Sequence, residues 1–267
     1  LYAEAMHRPD VQIIVNTTPC GMYPNVGRCL IDPKAFPRLE AVLDVVYNPF
    51  HTELLLRAED CGVTAAGGFE MLVAQAVFAA EHFTGKTLDT AEIIPSVSRR
   101  LRHELANISL IGMPGCGKST VGAALAKRLN KKFVDLDAEI ERRTGRTIPD
   151  IFAQEGEEAF RRYEAETLAD VAKGNSQVIA CGGGVIKNHA NTRALRQNGP
   201  VLWVRRPLER LATGGRPLSK GGAALKQMEA ERTPLYQAAA TAVLDNNSTL
   251  AQAVATAAAL FEADERL

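Results

Sequence analysis

One nine-residue stretch, Gly112-Met113-Pro114-Gly115-Cys116-Gly117-Lys118-Ser119-Thr120, constrains this chain more than any other feature. It satisfies the pattern G-x-x-x-x-G-K-[ST]. Its glycines reach backbone conformations closed to other residues, so successive N–H groups turn inward and can wrap phosphate oxygens. The apolar run 108–111 before it reads as a strand. Residues 118–129 after it read as a helix, whose N-terminus adds positive potential under the loop. Lys118 is expected to reach the β- and γ-phosphates of a nucleotide, and Ser119 to hold Mg2+ through its hydroxyl. The loop is silent on what receives the phosphate.

The surrounding sequence alternates short β-rich runs with helical ones. Downstream of the loop, strands are expected at 133–136, 178–180, 201–204 and 242–244. Helices are expected from Ala138 to near Gly145, from Pro149 towards Gly156, over 157–173, and from Ser248 to the end. That alternation demands a parallel sheet covered on both faces. Upstream, runs at 11–16, 41–46 and 63–65 alternate with helices at 52–61 and 69–83, which suggests a separate α/β unit. Residues 92–106 carry a Pro, two Ser and four basic side chains; they read as a linker, or at 98–105 as a short helix entering the second unit. The expected division is therefore 1–91, a linker at 92–106, and 107–267.

Charge supports the division. The chain has no net charge, but residues 1–98 hold 6 Lys and Arg against 12 Asp and Glu, and the remainder holds 25 against 19. A mildly basic second half suits an anionic ligand. Its excess is scattered, so nucleic acid is not expected as a partner. No run of 18 apolar residues exists, so no membrane span is expected. Five cysteines without a CxxC pair read as reduced cytosolic thiols, not as a disulfide framework or zinc site. The chain begins without Met and reads as a fragment or a processed piece.

Further candidates follow the loop in order. Asp135 and Asp137 lie at i, i+2 in FVDLD, which puts both on one face of a strand ending at a ligand crevice. There they could hold a metal's water shell and grip a hydroxyl. Equally, Asp137 could simply cap the helix that follows. Arg161 and Glu164 could be a solvated i, i+3 pair or, through the arginine fork, a carboxylate site. Gly182, Gly183 and Gly184 permit either close ligand approach or only a tight turn. Residues 213–222, TGGRPLSKGG, suit a closing lid with Arg216 on the transferred phosphoryl group, or an ordinary surface loop. Arg232 could be a second carboxylate clamp or a surface residue.

Together GMPGCGKST, FVDLDAEIERRTGRTIPDIFAQEGEEAFRRYEAETL, ACGGGV, RPL and ERTPLY make residues 107–267 resemble shikimate kinase. The resemblance implies a P-loop kinase fold, a five-stranded parallel sheet between helices. It also implies transfer of the γ-phosphoryl group of ATP to the 3-hydroxyl of shikimate. It assigns Gly115, Cys116, Gly117, Lys118, Ser119 and Thr120 to ATP, and Ser119 with Asp135 to Mg2+. Asp137 would be the base and bind shikimate hydroxyls. Arg161 and Arg232 would clamp its carboxylate, Gly182, Gly183 and Gly184 would line its ring, and Arg216 would be the lid arginine. Ala212 stands where many members have an arginine near adenine.

Residues 1–90 resemble instead the C-terminal part of shikimate dehydrogenase, through VNTTPCGMYPN, DVVYNPFHTELL and GGFEMLVAQAVFAAEHFTG. The implied fold is half of a Rossmann-like domain. Tyr47 and Gln75 would face shikimate, and Asn16, Thr17 and Gly68 would lie near NADP. No G-x-G-x-x-G precedes the kinase half, and the family's catalytic Lys and Asp belong to a domain not seen here. The expectation is a dehydrogenase–kinase fusion in which NADP binds only in a full-length parent. Two other readings stay open: a P-loop kinase for another small hydroxylated acid, and a non-catalytic scaffold that self-associates through its incomplete first half.

Overall fold

A computed structural model of the chain describes residues 8–211 and 222–264, which fall into two compact units meeting in sequence between Leu105 and Ala106. In the first unit β1 (Ile13–Asn16), β2 (Ala41–Asp44) and β3 (Thr64–Gly67) form a parallel sheet in that order. Helix α1 (Glu53–Asp60) connects β2 to β3. Thr52 caps it by accepting a hydrogen bond from the Leu55 N–H. The pleat of the strands decides what is buried. Ile14 and Val42 point to one face and pack with Phe36, Leu54, Leu55 and Ala58. Ile13, Val15 and Leu43 point the other way and are 59%, 56% and 42% exposed.

Helix α2 (Phe69–Thr84) ends where Gly85 takes a left-handed conformation, φ 65°. The stretch expected as a linker is helix α3 (Thr90–Leu105). Ile93, Ile94, Val97, Leu101 and Leu105 recur at helical spacing and pack against Phe69, Val73 and Val77 of α2. Of the residues that suggest a linker, Pro95, Ser96, Arg99 and Arg100 are exposed, while Ser98 is buried and the Arg102 guanidinium lies over the Phe69 ring.

The second unit holds a five-stranded parallel sheet in the order β5-β6-β4-β7-β8. The strands are β4 (Ile108–Ile111), β5 (Lys132–Asp135), β6 (Gln177–Ala180), β7 (Val201–Arg205) and β8 (Ala242–Asp245). Every residue of β4 and β6 is buried, as expected for central parallel strands covered on both faces. The helices are α4 (Lys118–Leu129), α5 (Leu136–Thr144), α6 (Ile148–Val171), α7 (His189–Arg196), α8 (Gly222–Ala239) and α9 (Leu250–Glu262). Within α6, Gly156 breaks the helix at φ 81°, ψ 179°, so the two helices expected around it abut. No helix among the described residues is long and apolar enough to cross a membrane.

One local expectation fails in an informative way. Strand β5 stops at Asp135, so Asp135 and Asp137 do not share a strand face. It is Asp135, not Asp137, that caps the following helix: its Oδ1 accepts from the N–H of Asp137 at 3.1 Å and of Ala138 at 3.4 Å. Asp137 lies in the first turn of α5. The hydrophobic Leu136 between them is fully buried and is the first residue of the helix.

Candidate active site

The site lies at the carboxyl ends of β4, β5 and β6, where an open parallel sheet places its ligands. Beyond β4 the glycine loop turns on positive φ values at Gly112 (143°), Gly115 (84°) and Gly117 (98°). A side chain at Gly112 would also collide with the Val204 carbonyl on β7, so only glycine lets the loop leave the sheet here. Asn246, 7% exposed, braces the loop from behind by donating Nδ2–H to the Cys116 carbonyl at 2.8 Å. The Lys118 ammonium is buried and donates to the carbonyls of Gly112 (2.9 Å) and Met113 (3.0 Å), folded back over its own loop. Ser119 donates Oγ–H to Asp135 Oδ2 at 2.6 Å. That contact joins the loop to the end of β5.

Across β6 stands a second set of polar groups. Glu164 of α6 is only 1% exposed. Its Oε2 accepts from Arg161 Nη1 at 2.9 Å, while its Oε1 is buried without a hydrogen-bond partner among the described residues. Burial pushes the Glu164 carboxyl above its ordinary range; Arg161 opposes this without overcoming it, and Asp137 adds to it. For Arg161 the balance tips the other way. Burial disfavours its charge, but Glu164 and Glu157 hold its pKa above the usual value. Arg161 also donates to Glu157 Oε1 at 3.0 Å, which lowers the pKa of that carboxyl. Arg232 of α8 is 4% exposed, which settles that it is no surface residue. Its Nη1 donates to the Gly183 carbonyl at 2.9 Å, an oxygen that also accepts from the Tyr236 hydroxyl at 2.6 Å.

The three glycines after β6 are required for space rather than for backbone conformation, since none has a positive φ. A Cβ at Gly182 would lie 2.8 Å from Asp137 Oδ1 and 3.0 Å from Glu164 Oε1. One at Gly183 would press on Pro114 at 2.8 Å, and one at Gly184 would collide with the Arg161 guanidinium. They let the carboxylates, the arginine and the phosphate loop converge.

A single cavity of about 470 Å³ joins these groups. Gly115, Gly117, Lys118, Ser119, Thr120, Asp135, Asp137, Arg161, Gly182, Gly183, Gly184 and Arg232 all line it. Cys116 does not. It is fully buried, its N–H turns back to the Met113 carbonyl at 3.3 Å and its own carbonyl accepts from Asn246 Nδ2. Arg216 and Ala212 fall outside the described residues.

The shikimate kinase family model matches residues 114–261. This chain belongs to the shikimate kinase family. The shikimate kinase of Clostridium botulinum (strain Eklund 17B / Type B) is 42% identical over 152 residues, 55% of this chain and 92% of that protein. That of Symbiobacterium thermophilum is 44% identical over 167 residues, 56% of this chain and 92% of that protein. A solved shikimate kinase from Acinetobacter baumannii in complex with shikimate is 36% identical; it covers 61% of this chain and 94% of its own, with a TM-score of 0.55. A solved shikimate dehydrogenase from Peptoclostridium difficile is 32% identical over 38% of this chain and 36% of its own, but its TM-score of 0.34 is too low to establish a shared fold.

The kinase unit contains site residues that the sequence pattern did not single out. Phe152 and Phe160 of α6, with ring centroids 4.9 Å apart, wall the cavity, as do Pro114, Ile148, Met228 and Arg206. The break at Gly156 lies between the two phenylalanines in the chain.

In the first unit the expected residues do not converge in the same way. Asn16 and Thr17 line a small cavity of about 170 Å³ whose lining does not include Tyr47, Gly68 or Gln75. The Asn16 side chain is committed to structure. It donates to Asp44 Oδ1 at 2.9 Å and accepts from the N–H and hydroxyl of Thr18. Asp44, 2% exposed, also accepts from the Thr52 hydroxyl at 2.6 Å. Tyr47 and Gln75 are exposed, and a side chain at Gly68 would collide with the Val45 carbonyl.

Proposed function

We propose that the kinase unit transfers the γ-phosphoryl group of ATP to the 3-hydroxyl of shikimate. The observation that carries the reading is the joining, in one cavity, of a complete phosphate loop to a buried carboxylate–arginine cluster. The loop N–H groups and Lys118 would cradle the polyphosphate, with the ammonium moving from the Gly112 and Met113 carbonyls to phosphate oxygens. Arg161 and Arg232 would hold the shikimate carboxylate, the geometry to which a planar guanidinium is suited. Asp137, beside Gly182, would accept the hydrogen bond of the attacking hydroxyl and take its proton as the phosphoryl group arrives. Phe152 and Phe160 would keep water from competing.

Ser119 Oγ and Asp135 Oδ2 are the hard oxygen donors beside the phosphates that would hold Mg2+. Bound there, the ion would offset charge on the β- and γ-phosphate oxygens. No group of three or more His, Cys, Asp or Glu side chains among the described residues forms a metal site.

The test is ADP release with Mg2+ and ATP over shikimate, gluconate, nucleoside monophosphates and no acceptor. Shikimate alone should stimulate release, one ADP per shikimate consumed, and chelation of Mg2+ should abolish it. ADP release indifferent to shikimate would refute the reading. For the first unit we propose descent from the NADP-binding half of a shikimate dehydrogenase, on the strength of its three matching segments.

A further inference from the structure

Arg206 stands one residue beyond the end of β7 and lines the cavity. Strand β7 is the immediate neighbour of β4, with Ile111 paired to Trp203, so the chain beyond Arg205 runs alongside the start of the phosphate loop. The acceptor cluster of Asp137, Glu164 and Arg161 sits on the opposite flank, over β5 and β6. The loop therefore separates Arg206 from the place where the acid would bind. The cations of the cavity differ in how they are satisfied. Arg161 is held by two carboxylates, Lys118 by two carbonyls, and Arg232 by the Gly183 carbonyl. The Arg206 Nε is buried and meets no hydrogen-bond acceptor among the described residues; the Arg232 Nε is equally unmet, but Arg232 is held through its Nη1 by the Gly183 carbonyl. A buried donor on a permanent cation is costly unless an acceptor arrives.

We infer that Arg206 is a nucleotide-binding residue that donates to the phosphate chain from the β7 side, opposite the acceptor. The inference rests on the proposed kinase reading. It places a fixed positive charge where the polyphosphate leaves the loop, and it gives the orphaned Nε–H an anionic acceptor when nucleotide is present.

The test uses the whole chain and its Arg206→Gln and Arg206→Lys variants, titrated calorimetrically with ADP plus Mg2+ and assayed for KM of ATP and of shikimate. Loss of one charged hydrogen bond predicts ADP binding and KM for ATP weakened about 10- to 100-fold in Arg206→Gln. The KM for shikimate and the unfolding midpoint should stay unchanged. Arg206→Lys should recover part of the loss, because the charge remains while the planar donor is gone. Unchanged ADP affinity in Arg206→Gln, or equal weakening of shikimate and nucleotide, would overturn the role of Arg206. Failure of the wild-type chain to bind ADP would instead overturn the kinase reading on which it rests.

Discussion

Replacing Arg161 by Ala should expose the energetic character of the site. The substitution strands Glu164, which is 1% exposed and whose Oε1 already lacks a partner among the described residues. Breaking a fully buried pair costs about 3–5 kcal/mol. The Arg161 side chain is 22% exposed, so some of its attraction is screened and a cost of about 2–3 kcal/mol is expected at pH 8. The cost should shrink in acid. Burial already raises the folded pKa of Glu164 above its ordinary 4.5. Such a carboxyl holds more protons folded than unfolded. Its stabilising contribution is thus complete below 4.5 and is lost as pH rises through the folded pKa. Removing Arg161 takes away the main influence holding that pKa down, so the loss extends to higher pH and deepens. The assay is urea unfolding at pH 5 and pH 8, followed by the fluorescence of Trp203. This is the single tryptophan of the chain; it is 9% exposed in β7 and reports the kinase unit alone. Arg161→Ala should lose clearly more stability at pH 8 than at pH 5, and adding Glu164→Gln should restore much of it by removing the stranded charge. An equal loss at both pH values, with no rescue in the double variant, would refute the reasoning.

Other outcomes follow from the same geometry. Asp137→Asn should lower kcat about 10²- to 10⁴-fold, the range for a general base, with ADP affinity unchanged by calorimetry. Gly182→Ala should raise the KM for shikimate, because its methyl would sit 2.8 Å from Asp137 Oδ1, and should leave the KM for ATP alone. Asn107→Ala should cost about 2–3 kcal/mol by Trp203 fluorescence. That side chain, 2% exposed, donates to the carbonyls of Ala172 and Gly174 and accepts from the Gln177 N–H, so its loss strands buried backbone groups. Among the cysteines, exposed Cys61 should react with a thiol reagent first. Cys116 and Cys181 are buried, and burial pushes the Cys181 pKa well up, so mass spectrometry should find both unmodified until the unit unfolds.

Local rules carried the reading of the elements a long way. The strand at 108–111 and the helix at 118–129 fall where the sequence places them, because a glycine loop between an apolar run and a helical one leaves little choice. Gly145 and Gly85 end helices as expected, each with a positive φ that few other residues tolerate. Reading failed where polar composition hid a pattern. Residues 92–106 read as a linker, or at 98–105 as a short helix, because the apolar stripe that makes α3 a helix is diluted among Pro, Ser and Arg. The strand period places both aspartates of FVDLD on one face, whereas the helix starts at Leu136, two residues before the expected Ala138.

The sequence alone determined that a phosphate loop opens a parallel α/β unit, because conformational freedom at glycine and the strand–helix alternation are local properties. It also supplied the residues of the acceptor side, but left each with a commonplace alternative. Only the tertiary structure decided where each of them sits and what it touches. Arg232 is separated from Gly183 by 49 positions in the chain, yet donates to its carbonyl at 2.9 Å. The charge state of Glu164 and the unmatched Nε of Arg206 depend on burial and on neighbours brought from other elements. No span of local sequence encodes such terms, because desolvation is a property of the assembled packing rather than of any one segment.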